Sequence, residues 1–224
     1  MPRSKQVEKQ DILHAATEVI RAKGQNALTV RNIAAELGCS TQPLYYEFEN
    51  IDHLRAELLP YVRQQYLQFR FSNYKEFGRH FLNFARREKE LFRFVYLRRR
   101  ERGETLLDDI NYDQTIRLLS HNLEMDVETA RRMHYQMQFR CYGLGVMLAT
   151  DYCEMTDDQI ERELTEYYQI ILRHYKGITD DGQLQYWLNR SRNLILKPAA
   201  GQRVPSAILP VKRLPGPGPG GRFM

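Results

Sequence analysis

The chain has 224 residues, of which 42% are hydrophobic and 27% charged, with three cysteines and a net charge of +5. That length holds one large or two smaller domains with a real core, and the composition excludes a wholly disordered or fibrous protein. No apolar stretch approaches the ~20 residues that span a bilayer, the amino terminus lacks the apolar core of a secretory signal, and Cys39, Cys141 and Cys153 form neither a disulfide framework nor a zinc knuckle, which fits a reducing cytoplasm.

Apolar residues recur at helical spacing almost from the start. Ile12, Leu13, Ala16, Val19 and Ile20 make one stripe, which Gly24 ends as a carboxy-terminal cap. Val30, Ile33, Ala34 and Leu37 follow at i, i+3, i+4, i+7 and stop at Gly38. Thr29 is placed to cap this short helix. Cys39 occupies a tight turn, and Ser40 is expected to cap a second helix beginning at Thr41, where Pro43 is tolerated because the first turn has no intrahelical N–H bonds to lose. Two short helices joined by a Gly-containing turn form a helix-turn-helix, whose second helix can enter the major groove. With Leu44 and Phe48 turned to the core, Thr41, Gln42 and Tyr45 project from the other side. Gln pairs bidentately with adenine, Thr meets a base edge or a thymine methyl, and Tyr reaches a phosphate or base edge. A plain helical hairpin with a polar solvent face is the competing explanation of the same pattern.

The run Leu28-Thr-Val-Arg-Asn-Ile-Ala-Ala-Glu-Leu-Gly-Cys-Ser-Thr-Gln-Pro-Leu-Tyr-Tyr-Glu-Phe48, followed by Asn50, Ile51, Asp52 and Leu54, resembles the DNA-binding domain of TetR-family transcriptional regulators. The detailed resemblance covers about residues 8–55, in which Thr-x-Arg-x-Ile-Ala, Leu-Gly-x-Ser and Leu-Tyr-Tyr-x-Phe occur in order. It implies a symmetric dimer on a near-palindromic operator and a cavity whose ligand releases the DNA. On that resemblance, Thr29 and Arg31 match positions that approach phosphates. Ser40, Thr41, Gln42 and Tyr45 match base-reading or groove-lining positions, and Tyr46 an aromatic on the backbone. Family members often carry Lys where this chain has Ile51. His53, Arg55 or the arm residues Arg3 and Lys5 can substitute for that cation, or backbone N–H groups at the helix start can suffice.

A longer helix is expected after Asn50, through Leu54, Leu58, Tyr61 and Leu67, with Pro60 kinking it or loosening its hydrogen bonds. The middle of the chain is rich in rings, most of them ordinary core. Tyr66, Phe81, Phe84, Met137 and Arg140 are the candidates for lining an effector pocket, Arg140 requiring a ligand or an internal ion pair if buried. From Arg86 to Arg102 eight basic residues stand against three acids, which suits either an anionic partner or a solvated helix end. Asp126 caps a helix to about Asp151 that is apolar on both sides: Met133, Met137, Cys141, Leu144 and Leu148 on one, Tyr135, Phe139, Tyr142, Val146 and Ala149 on the other. Thr156 and Gln159 form a capping box for the next helix, whose apolar face is wide. Helices 127–151 and 157–175 therefore suit the four-helix interface of a homodimer, or a fully internal pair in a monomer.

The last 28 residues hold six of nine prolines and five of thirteen glycines, and their five cations without an acid account for the whole net charge. They are expected to be a flexible tail. Residues 1–55 and 56–196 each sum to zero, so net charge says nothing for DNA binding. His121 and His134 are isolated, no set of residues has metal-ligand spacing, and no phosphate loop, nucleophile elbow or cofactor motif occurs. The chain is thus expected to be all-α and non-enzymatic, without cofactor or membrane contact. A helix-turn-helix domain at 1–50 precedes an effector and dimerisation domain at 51–196 and a tail at 197–224. Its partners would be double-stranded operator DNA and a small-molecule effector. The competing function is a co-regulator acting mainly through protein contacts, motivated by the neutral charge of residues 1–55 and by Ile51.

Overall fold

A computed structural model describes residues 7–71, 73–99 and 110–193. The tail at 197–224, the arm residues Arg3 and Lys5, and Arg100 and Arg102 of the basic stretch lie outside the described residues. Among those described, ten α-helices and one 3-10 turn occur and no strand: α1 Lys9–Lys23, the turn Gln25–Ala27, α2 Val30–Leu37, α3 Gln42–Glu47, α4 Ile51–Tyr66, α5 Tyr74–Arg87, α6 Lys89–Tyr96, α7 Tyr112–Leu123, α8 Val127–Ala149, α9 Asp157–Lys176 and α10 Asp181–Asn193. No helix among the described residues is long and apolar enough to cross a membrane.

Local chemistry sets most boundaries. The side chains of Thr29, Asn50, Asn73, Asp126 and Thr156 each accept a hydrogen bond from the backbone N–H three residues on, satisfying a donor that the first turn leaves orphaned. Thr156 and Gln159 close the reciprocal capping box. Gly38 ends α2 in the left-handed conformation at φ 65°, which a side chain resists.

The helix after this turn begins later than its sequence suggests. Thr41, not Ser40, flanks the first helical residue, and neither caps it. A cap at Ser40 would find no donor three residues on, where Pro43 lacks an N–H. The Thr41 carbonyl instead accepts from the Leu44 N–H at 3.2 Å. The 3-10 turn at Gln25–Ala27 has no apolar periodicity to announce it, and α4 runs unbroken through Pro60, whose ring is exposed.

The core is continuous from α1 to α10. Ile12, Ala16 and Ile20 of α1 are fully buried against α2 and α4, and Leu91 and Phe92 bring α6 onto the same helix layer. Further along, α5 lies against α8 and α9. Gly78 permits that approach, since a Cβ there would stand 2.9 Å from Leu164 Cδ2. On α8, Met133, Met137, Cys141 and Leu148 are buried within the chain, while Tyr135, Tyr142 and Val146 are half-buried and Phe139 is exposed.

Candidate functional site

Four helices build the exposed face at the amino-terminal end. α2 and α3 are set by Ile33, Ala34, Leu44 and Phe48, all buried against α1 and α4. The seam between them, bounded by Val30, Leu44, Tyr45, Phe48, Asn50, Ile51 and Leu54, leaves only about 10 Å³ free. α3 is therefore closely packed on its buried side although it has six residues. Ile51 is half-buried in this seam, which explains an apolar side chain where a phosphate cation was expected.

Opposite the buried side of α3, Tyr45 and Tyr46 are 61% and 77% exposed. Exposed neighbouring aromatics are unusual for a free surface and suited to a partner. Gln42 is exposed beside them, its amide Nε2 donating to the Tyr46 hydroxyl at 2.8 Å. Ser40 is exposed and Thr41 half-buried at the start of the same helix. Thr29 spends its hydroxyl oxygen on the Asn32 N–H at 3.2 Å, leaving that hydroxyl's proton free, and Arg31 is exposed with no ion pair among the described residues. The structure thus brings Gln42, Tyr45 and Tyr46 onto one short helix, with Thr29 and Arg31 at the start of the preceding one.

The residues offered to replace the missing cation at Ile51 are differently placed. Arg55 pairs with Asp52 at 3.1 Å. His53 packs edge-on to Phe48 and its Nε2 lies 3.4 Å from Glu57, which Lys9 also holds at 2.7 Å. Lys9 and His53 together keep the Glu57 carboxyl below its usual range, the hydrogen bond from Lys9 first. The backbone N–H groups of Ile51 and Asp52 remain at the start of α4, since that of His53 bonds Asn50.

Three of the five effector candidates share one aromatic cluster, and Met137 and Arg140 are not part of it. Tyr66, Phe84, Phe92, Phe81, Tyr96 and Tyr142 form a chain of rings with successive centroids 5.1–6.2 Å apart, packed as core. Gly145 closes it, because a Cβ there would meet Phe92 Cζ at 2.8 Å. Met137 is buried elsewhere on α8. Arg140 is exposed, pairs with Glu163 and lies 5.7 Å from the ring centre of Tyr167, so the ion pair, not a cavity wall, is its place. Three residues of the basic stretch are likewise engaged: Arg86 with Asp157, Lys89 with Asp151, and Arg93 with Glu90 and Asp151. A cavity of about 600 Å³ opens instead between α7 and the start of α8. Its lining includes Arg117 and Arg131, which sequence reasoning passed over; the row Asp113, Arg117, His121 at i, i+4, i+8 was the available signal.

Arg21 ties the two regions together. From α1 its Nε donates to Glu88 at 2.8 Å, and its guanidinium also bonds Glu18 and the Tyr66 hydroxyl. Burial opposes its charge, but the carboxylates of Glu88 and Glu18 outweigh that and hold it charged above the ordinary arginine range.

Among the described residues no group of three or more His, Cys, Asp or Glu could hold a metal ion. Residues 12–58, from α1 into α4, match the family described as bacterial regulatory proteins, tetR family. The chain is similar in fold to a TetR-like transcriptional regulator from Rhodococcus sp. RHA1, with a TM-score of 0.53 at 16% identity over 78% of this chain and 99% of that one. No curated protein matches the chain significantly.

Proposed function

We propose that this chain, a TetR-family transcriptional regulator by its residues 12–58 and its all-α fold, acts in the cytoplasm as a symmetric dimer on a near-palindromic operator and is a repressor released by a small molecule. The observation that carries this reading is α3. Its Leu44, with Phe48 just beyond, is locked into a seam, while Gln42, Tyr45 and Tyr46 stand in water on the other side. Such a helix can enter a major groove with its amide on a base edge and its phenols on bases or phosphates. Thr29 and Arg31 would hold the register from the phosphates, helped by the backbone N–H groups at the start of α4.

Residues 1–50 would then be the reader and residues 51–196 the unit that binds effector and pairs with a second copy. Exposed Phe139 on α8 and Ile170 on α9, 47% and 62% accessible, favour an interface through these two helices over an internal pair. A ligand in the second unit would shift the dimer toward a form whose recognition helices no longer match grooves ~34 Å apart. Arg21, bonded at once to Glu88 and Tyr66, supports coupling between the two units.

Footprinting on the promoter of the protein's own gene tests the reading. A protected near-palindrome is expected, and binding no stronger than to bulk DNA at moderate salt would overturn it. The rival, a co-regulator working through protein contacts, rests on the apolar Ile51; unchanged operator affinity after Gln42→Ala and Tyr45→Ala would favour it.

A further inference from the structure

The cavity between α7 and α8 is walled by two rows of α7, the inner one Tyr112, Ile116 and Ser120 and the outer one Asp113, Arg117 and His121, and by Val127 and Arg131 of α8. At about 600 Å³ it is of a size that holds a small organic molecule. From these walls we propose that the groove is a binding site for an organic monocarboxylate with an apolar body. The proposal deepens the effector reading above and locates the effector away from the central rings.

The charges come first. α7 and α8 are consecutive helices joined by a short turn and run antiparallel, and the rings of Tyr112 and His134 lie 6.0 Å apart. Arg117 and Arg131 line the groove from these two helices. Arg117 has no ion pair among the described residues, and Arg131 has only a 3.9 Å contact with exposed Glu128 on its own helix. Two guanidinium groups lining one groove can each give an anion bound there a charge-assisted hydrogen bond. Asp113, one turn before Arg117, also lines the groove and forms no ion pair with it among the described residues, so a ligand of higher negative charge would meet more repulsion there.

The body of the ligand follows from the rest of the lining. Ile116 and Tyr112 form an apolar base, and Val127, 51% exposed, presents its side chain beside them. Ser120 lines the groove as well, its hydroxyl oxygen turned into the protein and without a hydrogen-bond partner among the described residues. An alkyl or aryl chain on the base with its carboxylate near the arginines matches the apolar and the cationic parts of this lining. A phosphate dianion would meet Asp113 and leave the apolar base bare.

The test uses the full chain and a set of probes: acetate, phenylacetate, 4-phenylbutyrate and decanoate, each against its neutral amide. Thermal melting and calorimetric titration at millimolar ligand should show binding by the longer carboxylates, little by acetate and none by the amides. Arg117→Gln with Arg131→Gln should weaken carboxylate affinity at least about tenfold, as loss of charged hydrogen bonds would. Val127→Asp should do the same by spoiling the apolar wall, with circular dichroism reporting that each variant folds. Equal binding of acid and amide, binding that survives the double substitution, or no carboxylate binding at all would overturn the proposal. Operator binding without any probe is measured separately. Its failure would sink the regulatory reading and leave this site standing, whereas a ligand-blind protein that still protects an operator would do the reverse.

Discussion

Arg21 of α1 and Glu88, between α5 and α6, form a 2.8 Å ion pair across 67 positions of sequence, with the Glu88 side chain only 12% exposed. No helical period joins the two residues; only the folded chain brings them together. Because Tyr66 at the end of α4 shares the same guanidinium, α1, α4 and the junction of α5 with α6 meet at one point.

A double-mutant cycle measures the pair. Arg21→Met and Glu88→Gln should each destabilise the chain in urea unfolding, and the double variant should cost less than their sum. The interaction energy should be roughly 1–3 kcal/mol, the range for a hydrogen bond to a charged group in a partly buried setting. Additive costs would mean that the two residues do not act on each other.

On α3, base readers and phosphate contacts should separate by their signatures. Gln42→Ala or Tyr45→Ala should cost about 1–3 kcal/mol on the operator and relax its sequence preference. Arg31→Ala should weaken all DNA alike and lower the salt slope by about one. Fluorescence anisotropy over a salt series distinguishes the two patterns; a uniform effect from Gln42→Ala would remove it from base recognition.

The local parts of this architecture were legible in the sequence. Caps at Thr29, Asn50, Asp126 and Thr156 act within three residues, and the stop at Gly38 depends on its own φ, so side-chain chemistry alone announces them. What depends on register between helices was not. Arg140 lies at the edge of the Met133–Met137 face, and a helical wheel cannot tell a buried edge from one where Glu163 of α9 waits. Likewise Tyr66, Phe81 and Phe84 are near enough to line a pocket, but the approach of α6 over Gly145 fills the space with Phe92. At the groove between α7 and α8, the arginines were visible while the opening between them was not.

The exposed face of α8 and α9 makes a prediction about assembly. Phe139→Asp or Ile170→Asp would place a charge in the core of a dimer interface, where it is desolvated, yet in a monomer both positions already face water. Sedimentation should therefore show dimers for the parent chain and monomers for either variant, with unchanged helical content. Monomeric parent protein would instead place these residues at a contact with something else.

Gly145 tests how tightly the aromatic chain is packed. A methyl group there would lie 2.8 Å from Phe92 Cζ and 3.0 Å from Phe81 Cε1, closer than van der Waals contact permits. Phe92 is fully buried and packs against Phe81, Phe84 and Tyr96. Gly145→Ala should cost about 1–3 kcal/mol by overpacking, although Ala is the better helix former. Gly143→Ala on the same helix, where nothing of the same chain stands within 4 Å of the new Cβ, should not show this cost within the protomer, as read in the monomeric Phe139→Asp background.

His134 supplies a dependence on pH. It is fully buried on α8, its Nδ1 is 2.9 Å from the Tyr74 hydroxyl, and its Nε2 has no partner among the described residues. Burial lowers its pKa from 6.5 to about 3. Between those values the unfolded chain takes up a proton that the folded chain refuses, so stability is full above pH 6.5 and is lost as pH falls toward 3. By pH 5 the loss from this one group should reach roughly 2 kcal/mol. His80, lowered by its own burial against a bond to the Tyr66 carbonyl, adds to it with the same sign. His134→Gln keeps a polar partner for Tyr74 but cannot titrate. Urea unfolding at pH 7 and pH 5 should therefore show a smaller drop for His134→Gln than for the parent chain. Equal drops would mean that the folded protein protonates His134 as readily as the unfolded one.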